Sequence, residues 1–284
     1  MRWLNFDHAG ELHCGLLEGN KVYPLARGCL SQALPDLSAR AENARSSTPI
    51  ALEDVLVRQP VIRPGKILGI GLNYAAHVSE SVSFIRNDAP EVQKWFNKQA
   101  TAANGPGGAI HKPRVSDQMD YEAELVVVIG KHGRHVPADR AMEIVAGFSC
   151  GCDVSVRDWQ KASPTMIMGK GFDTHAPFGP YLVTPDEAGP LDGLSIRGYV
   201  NDELRQEGRL GDMIFSITDQ IAHLSEAFTL EPGDVLFTGT PAGVGAGHTP
   251  PKWLTAGDCV RVEIEKIGTL ENPVIKEPET ERIG

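Results

Sequence analysis

Two glutamates pose the first chemical question. Glu122 and Glu124 stand one residue apart in DYEAELVVVIGK (120–131), where Glu124 opens onto a run of five apolar side chains. In an extended strand alternate side chains share a face, so the two carboxylates point the same way from positions about 6.5–7 Å apart along the backbone. Like charges at that range disfavour each other unless a cation lies between them or one takes up a proton. Asp153, at the head of DVSVRDWQ about thirty residues later, can join them, since a strand, a helix and a second strand are enough chain to return it alongside. Three carboxylates without cysteine or histidine make a hard-oxygen site suited to Mg2+, Mn2+ or Ca2+. Spacing alone leaves the alternative open that the acids are solvated strand ends.

Other motifs are weaker. GIGLNY follows an apolar strand but lacks the third glycine of a dinucleotide fingerprint, and TGTPAGVGAG has no Gly-Lys-Ser/Thr to hold phosphates. The glycines more simply let backbone approach a ligand closely, and TGTP then offers Thr240 and main-chain N–H groups to an oxyanion. CGC at 150–152 is one Cys-x-Cys pair with no second pair or histidine at zinc spacing, and reads as small residues near a buried strand.

The elements that must hold these residues divide at about residue 65. The first unit, 1–65, contains LHCGLLEGNKVYPL, two short strands around the turn EGN, then SARAENARSSTPIALEDVLV, polar and helical; Pro60 and Pro64 mark the boundary. Residues 66–284 form the larger unit. KILGIGLNYAAHVSE gives a strand, a glycine turn and a helix starting near Asn73, residues 79–93 suit a mobile segment or lid, and AANGPGGAIHKPRVSDQMD is a long loop of the kind that often carries function. Strands follow in ELVVVIG, GCDVSV, PYLVT, LSIRGYVN, DVLFTG and CVRVEIEKI, interrupted by helices in PADRAMEIVAGF and MIFSITDQIAHLSEAF. The expected fold is therefore mixed α/β and β-rich, a largely antiparallel mixed sheet rolled on itself rather than a doubly wound parallel one.

Composition excludes several classes of partner. The chain has 284 residues, 41% hydrophobic and 23% charged, enough for a large core and unlike a disordered chain. Its net charge of −10 argues against nucleic acid or an anionic membrane, and a small anionic substrate needs local positive charge within a site. Five cysteines, an odd number in a large chain, fit reduced thiols. No apolar run has the length of a membrane span and MRWLNFDHAG lacks the form of a secretion signal, so the expected compartment is the cytosol.

Taken together and in order, GLNYAAHVSE, DYEAELVVVIGK, DVSVRDWQ, GKGFDTHAPFGPYLVT, TLEPGDVLFTGTPAGVG and GDCVRVEIEKIGTLEN resemble the fumarylacetoacetate hydrolase family over roughly residues 66–275. The resemblance implies a rolled mixed sheet, a homodimer as the usual assembly, and a divalent metal, Mg2+ or Mn2+ with Ca2+ as a further option, on Glu122, Glu124 and Asp153. It implies action on small 2-oxo acids and their enols. His77 and Glu80 match the family's histidine–glutamate dyad; three apart on a helix they share a face, so the carboxylate can orient the imidazole. Lys170 matches a lysine beside the metal, where it offsets charge or delivers a proton. Arg157, Gln160 and Thr240 match residues that bind substrate. Gly171 stands where serine is common, and residues 1–65 resemble the family's variable appendage. The reaction implied first is hydrolysis of the carbon–carbon bond of an acylpyruvate, such as a 2,4-dioxo acid in breakdown of an aromatic compound. Isomerisation of a 2-hydroxy-dienoate and decarboxylation of oxaloacetate are alternatives in the same site.

Overall fold

The structure, a computed structural model, describes residues 1–81 and 90–279. In chain order its principal strands are β1 (Arg2–His8), β2 (Glu11–Glu18), β3 (Lys21–Arg27), β4 (Ile67–Gly71), β5 (Lys94–Lys98), β6 (Ala123–Ile129), β7 (Val145–Cys152), β8 (Ala176–Val183), β9 (Ser195–Val200), β10 (Glu203–Arg209), β11 (Val235–Phe237), β12 (Cys259–Ile264) and β13 (Gly268–Lys276). Its principal helices are α1 (Leu37–Arg45), α2 (Ala75–Ser81), α3 (Arg157–Ala162), α4 (Ile167–Lys170) and α5 (Ile217–Ala227).

Among the described residues one twelve-stranded sheet contains the path β3-β2-β1-β8-β7-β6-β11-β4-β5. Its neighbours run antiparallel except β11 and β4, which are parallel. A second sheet orders β10-β9-β12-β13 and ends on the short strand Ile110–Lys112. This is the expected mixed, strand-rich architecture. The first 65 residues add strands to the main sheet: Trp3 of β1 pairs with Leu182 of β8.

The apolar run after Glu124 is explained by its place. Leu125, Val127 and Ile129 pack on one face of β6 with Val260, Val262 and Ile264 of β12 and with Ile221 and Leu224 of α5. Val126 and Val128 pack on the other face with Phe237, Phe178, Trp3 and Leu16. A strand covered on both sides reads as a continuous hydrophobic run instead of an alternation. Each such side chain contributes about 1.5–3 kcal/mol by leaving water, so the segment carrying Glu124 is among the most firmly held in the molecule.

Helix α5 forms as its sequence suggests, with a narrower start. Ser216 caps it: the hydroxyl accepts from Asp219 N–H at 3.2 Å while the Asp219 carboxylate accepts from Ser216 N–H at 3.1 Å. Ile214 lies before the cap and is 37% exposed. The helix expected in PADRAMEIVAGF is absent. Ala138–Ile144 make a 3-10 run and Val145 already begins β7. Sheet pairing overrides the local helical pattern here, because Gly147 lies so close to β8 that a Cβ would sit 2.5 Å from Val183 O. Asn73 does not cap α2. Its buried side chain donates to Phe215 O and Thr238 O and accepts from Phe215 N–H, pinning the turn before α2 to two distant segments. The expected lid, 79–93, falls partly on the end of α2; its residues 82–89 lie outside the described residues. No described helix is long and apolar enough to cross a membrane.

Candidate active site

Strand alternation puts Glu124 on the face of β6 opposite Leu125, Glu122 lies immediately before the strand, and antiparallel pairing brings in the third acid. Ala123 is registered against Cys152, the last residue of β7, so Asp153 follows directly and its N–H donates to Glu122 O at 2.9 Å. Oxygen atoms of Glu122, Glu124 and Asp153 lie within 4.8 Å of one another. All three residues are buried, as is Asp120 two residues upstream.

Among the described residues, three buried cations share this interior. Lys170, at the end of α4, donates to Glu122 Oε2 at 2.5 Å and to Asp153 Oδ2 at 2.6 Å. Arg157 opens α3, and its guanidinium donates through Nη2 to Glu122 Oε1 at 2.7 Å, Nε to Asp120 Oδ2 at 2.8 Å and Nη1 to Gln160 Oε1 at 3.0 Å. Lys98, the last residue of β5, bonds Asp153 Oδ1 and donates to Val154 O at 3.0 Å. Among the described residues, four buried carboxylates thus face three buried cations.

The imbalance falls on Glu124. Burial raises the pKa of Glu122, yet the Lys170 and Arg157 charges outweigh it and hold that carboxyl well below the usual range. For Glu124 burial, Asp153 and Glu122 all act upward, and its carboxyl is pushed well above the usual range. Its hydrogen-bond partner among the described residues is the Gly239 N–H, at 2.7 Å. Burial lowers the pKa of Lys98, whereas Asp153 and Glu122 overcome the same penalty at Lys170 and raise it. A buried carboxylate beside two others, with an amide donor and no cation of its own among the described residues, suits a divalent ion. The donor set fits the expected hard metal on Glu122, Glu124 and Asp153.

Glu122 and Glu124 open on a cavity of about 290 Å³. From α2, His77 faces it and donates or accepts through Nδ1 at 3.0 Å from Glu80 Oε2. Glu80 Oε1 in turn accepts from Gly243 N–H at 2.9 Å. Gln160 and Lys161 reach the cavity from α3, and Ile70, Leu72, Phe96 and Met166 supply apolar walls. Lys170 Nζ lies 4.6 Å from the centre of the Phe96 ring.

Seven of the nine residues expected at the site line this cavity, and the other two, Glu80 and Asp153, are joined to it by hydrogen bonds to His77 and Lys170. Thr240 lines the cavity, but its hydroxyl is already engaged: it donates to Ala123 O at 2.9 Å and accepts from Gln206 Nε2 at 2.7 Å. A hydroxyl has one proton to give, and that of Thr240 is committed to Ala123 O. Two site residues were not anticipated. Asp120 has the same period-two spacing as Glu122 and Glu124, and that signal was available. Lys98 lies in the polar stretch QKWFNKQ, where nothing local marks it.

Residues 66–275 match the family model described as fumarylacetoacetate (FAA) hydrolase C-terminal. The chain belongs to this family. Over 236 residues it is 42% identical to a Dictyostelium discoideum fumarylacetoacetate hydrolase domain-containing protein 2 homolog, spanning 79% of this chain and 76% of that protein. It is 38% identical over 267 residues to the oxaloacetate tautomerase YisK of Bacillus subtilis (strain 168), covering 93% and 86%. Among solved structures it resembles the maleylpyruvate hydrolase of Sphingobium sp. SYK-6 in complex with manganese(II) ion and pyruvate, with TM-score 0.81, 28% identity and coverage of 98% and 100%.

Proposed function

We propose that this chain is a metal-dependent enzyme that interconverts the enol and keto forms of a short 2-oxo acid, with oxaloacetate as the substrate to test first. The observation that carries the reading is the pairing of one base, His77 fixed by Glu80, with a buried acid site across a single small cavity. Tautomerisation needs one group that takes a proton from oxygen and returns it to the adjacent carbon, and one imidazole nitrogen can do both. The resemblance to oxaloacetate tautomerases supports this choice over the hydrolysis expected from the sequence.

The residues divide the work. With Nδ1 held at Glu80, the ring presents Nε2 to the cavity. Neutral Nε2 takes the enol O–H proton and then delivers it to C3, which leaves the ring as it began and yields the ketone. Arg157 and Lys170 place positive charge beside the enolate oxygen that exists between the two transfers, while Gln160 and the backbone near Thr240 hold the substrate carboxylate. A divalent ion held by Glu122, Glu124 and Asp153 would supply Lewis-acid stabilisation of that negative charge. Phe96, Met166, Ile70 and Leu72 keep water from the transfer path.

A second reading, hydrolysis of an acylpyruvate, is favoured by the same dyad, which could activate water, and by the resemblance to maleylpyruvate hydrolase. Following the ultraviolet absorbance of enol-oxaloacetate with Mg2+ or Mn2+ separates the two. The tautomerase reading expects the enol to decay faster than in buffer, and His77→Ala to lose about 10²–10⁴-fold of that rate. Cleavage of acylpyruvates with no effect on enol-oxaloacetate would replace it with the second.

A further inference from the structure

The glycine stretch TGTPAGVGAG, which holds no nucleotide motif, touches every acid of the site except Glu122 and Asp153. Gly239 N–H donates to Glu124 Oε2 at 2.7 Å, Gly243 N–H to Glu80 Oε1 at 2.9 Å, and Gly245 and Ala246 N–H to the two oxygens of Asp120 at 2.6 and 3.0 Å. These carboxylates belong to three separate segments: β6, α2 and the short strand Met119–Asp120. We infer that the 239–247 loop is the positioning element of this enzyme: its main-chain amides set the dyad on α2, the metal-ligating strand and the clamp on Arg157 in one fixed relation.

The choice of amides has a physical reason. Among so many charges, another cation would neutralise the acid it oriented, whereas an N–H dipole fixes a carboxylate and leaves its charge in place. Glu80 can therefore be held by the loop and still act on His77. The backbone needed for this requires glycine at two points: Gly239 and Gly243 have φ of +98° and +105°, in the left-handed region. The loop is fastened from below by Tyr121 O–H donating to Gly243 O at 3.1 Å and Gln206 Nε2 donating to Pro241 O at 2.9 Å.

Gly247 offers a means of testing this without touching a reacting group. Its backbone is outside the left-handed region, and the nearest atoms a Cβ would meet all belong to the Glu80 side chain, which would have to move aside. Gly247→Ala should release Glu80 from His77 while leaving the grip on Glu124 and Asp120.

The inference rests on the reading of His77 as the proton carrier, so the main measurement does not depend on turnover. Imidazole 15N shifts of His77 report which ring nitrogen bears the proton. In Gly247→Ala they should leave the wild-type position and match those of Glu80→Gln, with Mn2+ affinity within about twofold of wild type. If the enzyme turns over enol-oxaloacetate, kcat should fall about 10–100-fold with KM little changed, and adding Glu80→Gln should lower it no further. His77 shifts unchanged in Gly247→Ala, or Mn2+ affinity falling in step with kcat, would overturn the inference. A wild-type enzyme inactive on every 2-oxo acid would sink the functional reading but leave the 15N comparison decisive. Should Gly247→Ala fail to fold, the Gly243 amide proton decides: displaced in Glu80→Ala, the loop contact stands; unmoved, it falls.

Discussion

Replacing Glu124 with glutamine tests the metal site through stability as well as activity. The new side chain would still accept the Gly239 N–H through its amide oxygen, and the two-sided packing of β6 is untouched. What changes is charge. At the 4.8 Å outer limit of the acid cluster, each like-charge contact costs about 3 kcal/mol at an effective dielectric near 20. Protonation of Glu124, whose pKa burial, Asp153 and Glu122 raise, relieves part of this. A carboxyl with a folded pKa above its unfolded one costs the fold nothing below the unfolded value, about 4.3. Above that pH the unfolded chain releases the proton more readily, so stability is lost as pH rises toward the folded value. Metal-free Glu124→Gln should therefore match wild type near pH 4–5 and exceed its stability at pH 7–8. With Mn2+ at about 100 times its Kd, wild type should gain about 2.7 kcal/mol, or about 5–10 °C in Tm, and the variant none. The assay is thermal unfolding across pH with chelator or with Mn2+. An equal Mn2+ shift in both proteins, or a metal-free variant less stable than wild type at pH 8, would refute the assignment.

Two further outcomes follow from buried polar contacts. Lys98→Met removes one of the two lysines on fully buried Asp153 and should cost about 3–5 kcal/mol in urea unfolding; a loss under about 1 kcal/mol would show that Lys98 is not a structural counter-charge. Ser216→Ala breaks the capping box of α5 and should cost about 1 kcal/mol, lowering Tm by about 2–4 °C with enol turnover unchanged.

Much of the site was legible because its logic is local. Glu122 and Glu124 declare themselves by alternation, and His77 and Glu80 by helical spacing, so each pair could be placed on a face before any tertiary contact was known. Joining them to Asp153 needed only a plausible return of the chain, which the β6–β7 pairing supplies. Lys98 was not legible, since its importance arises from β5 ending beside Asp153, a contact spanning 55 residues. The engagement of the Thr240 hydroxyl was hidden likewise, because it depends on Gln206 in the polar strand β10, which has no apolar alternation to announce it. The missed helix in PADRAMEIVAGF has the opposite cause: a helical pattern was present, but the close approach of β8 to Gly147 decided the outcome.

The coverage of β6 on both faces also bears on how this protein can change. Exposing Glu124 requires opening the central strand, and with it most of the molecule, so the amides of β6 should exchange with solvent only on global unfolding. The cavity walls from Leu72, Met166 and Lys161 lie on short helices and turns that can be altered at small cost. Under selection for a new substrate, accepted substitutions should therefore collect on those walls, while the acids and the strand beneath them stay fixed. The enzyme can change what it grips at the far end of the ligand without rebuilding what it does at the near end.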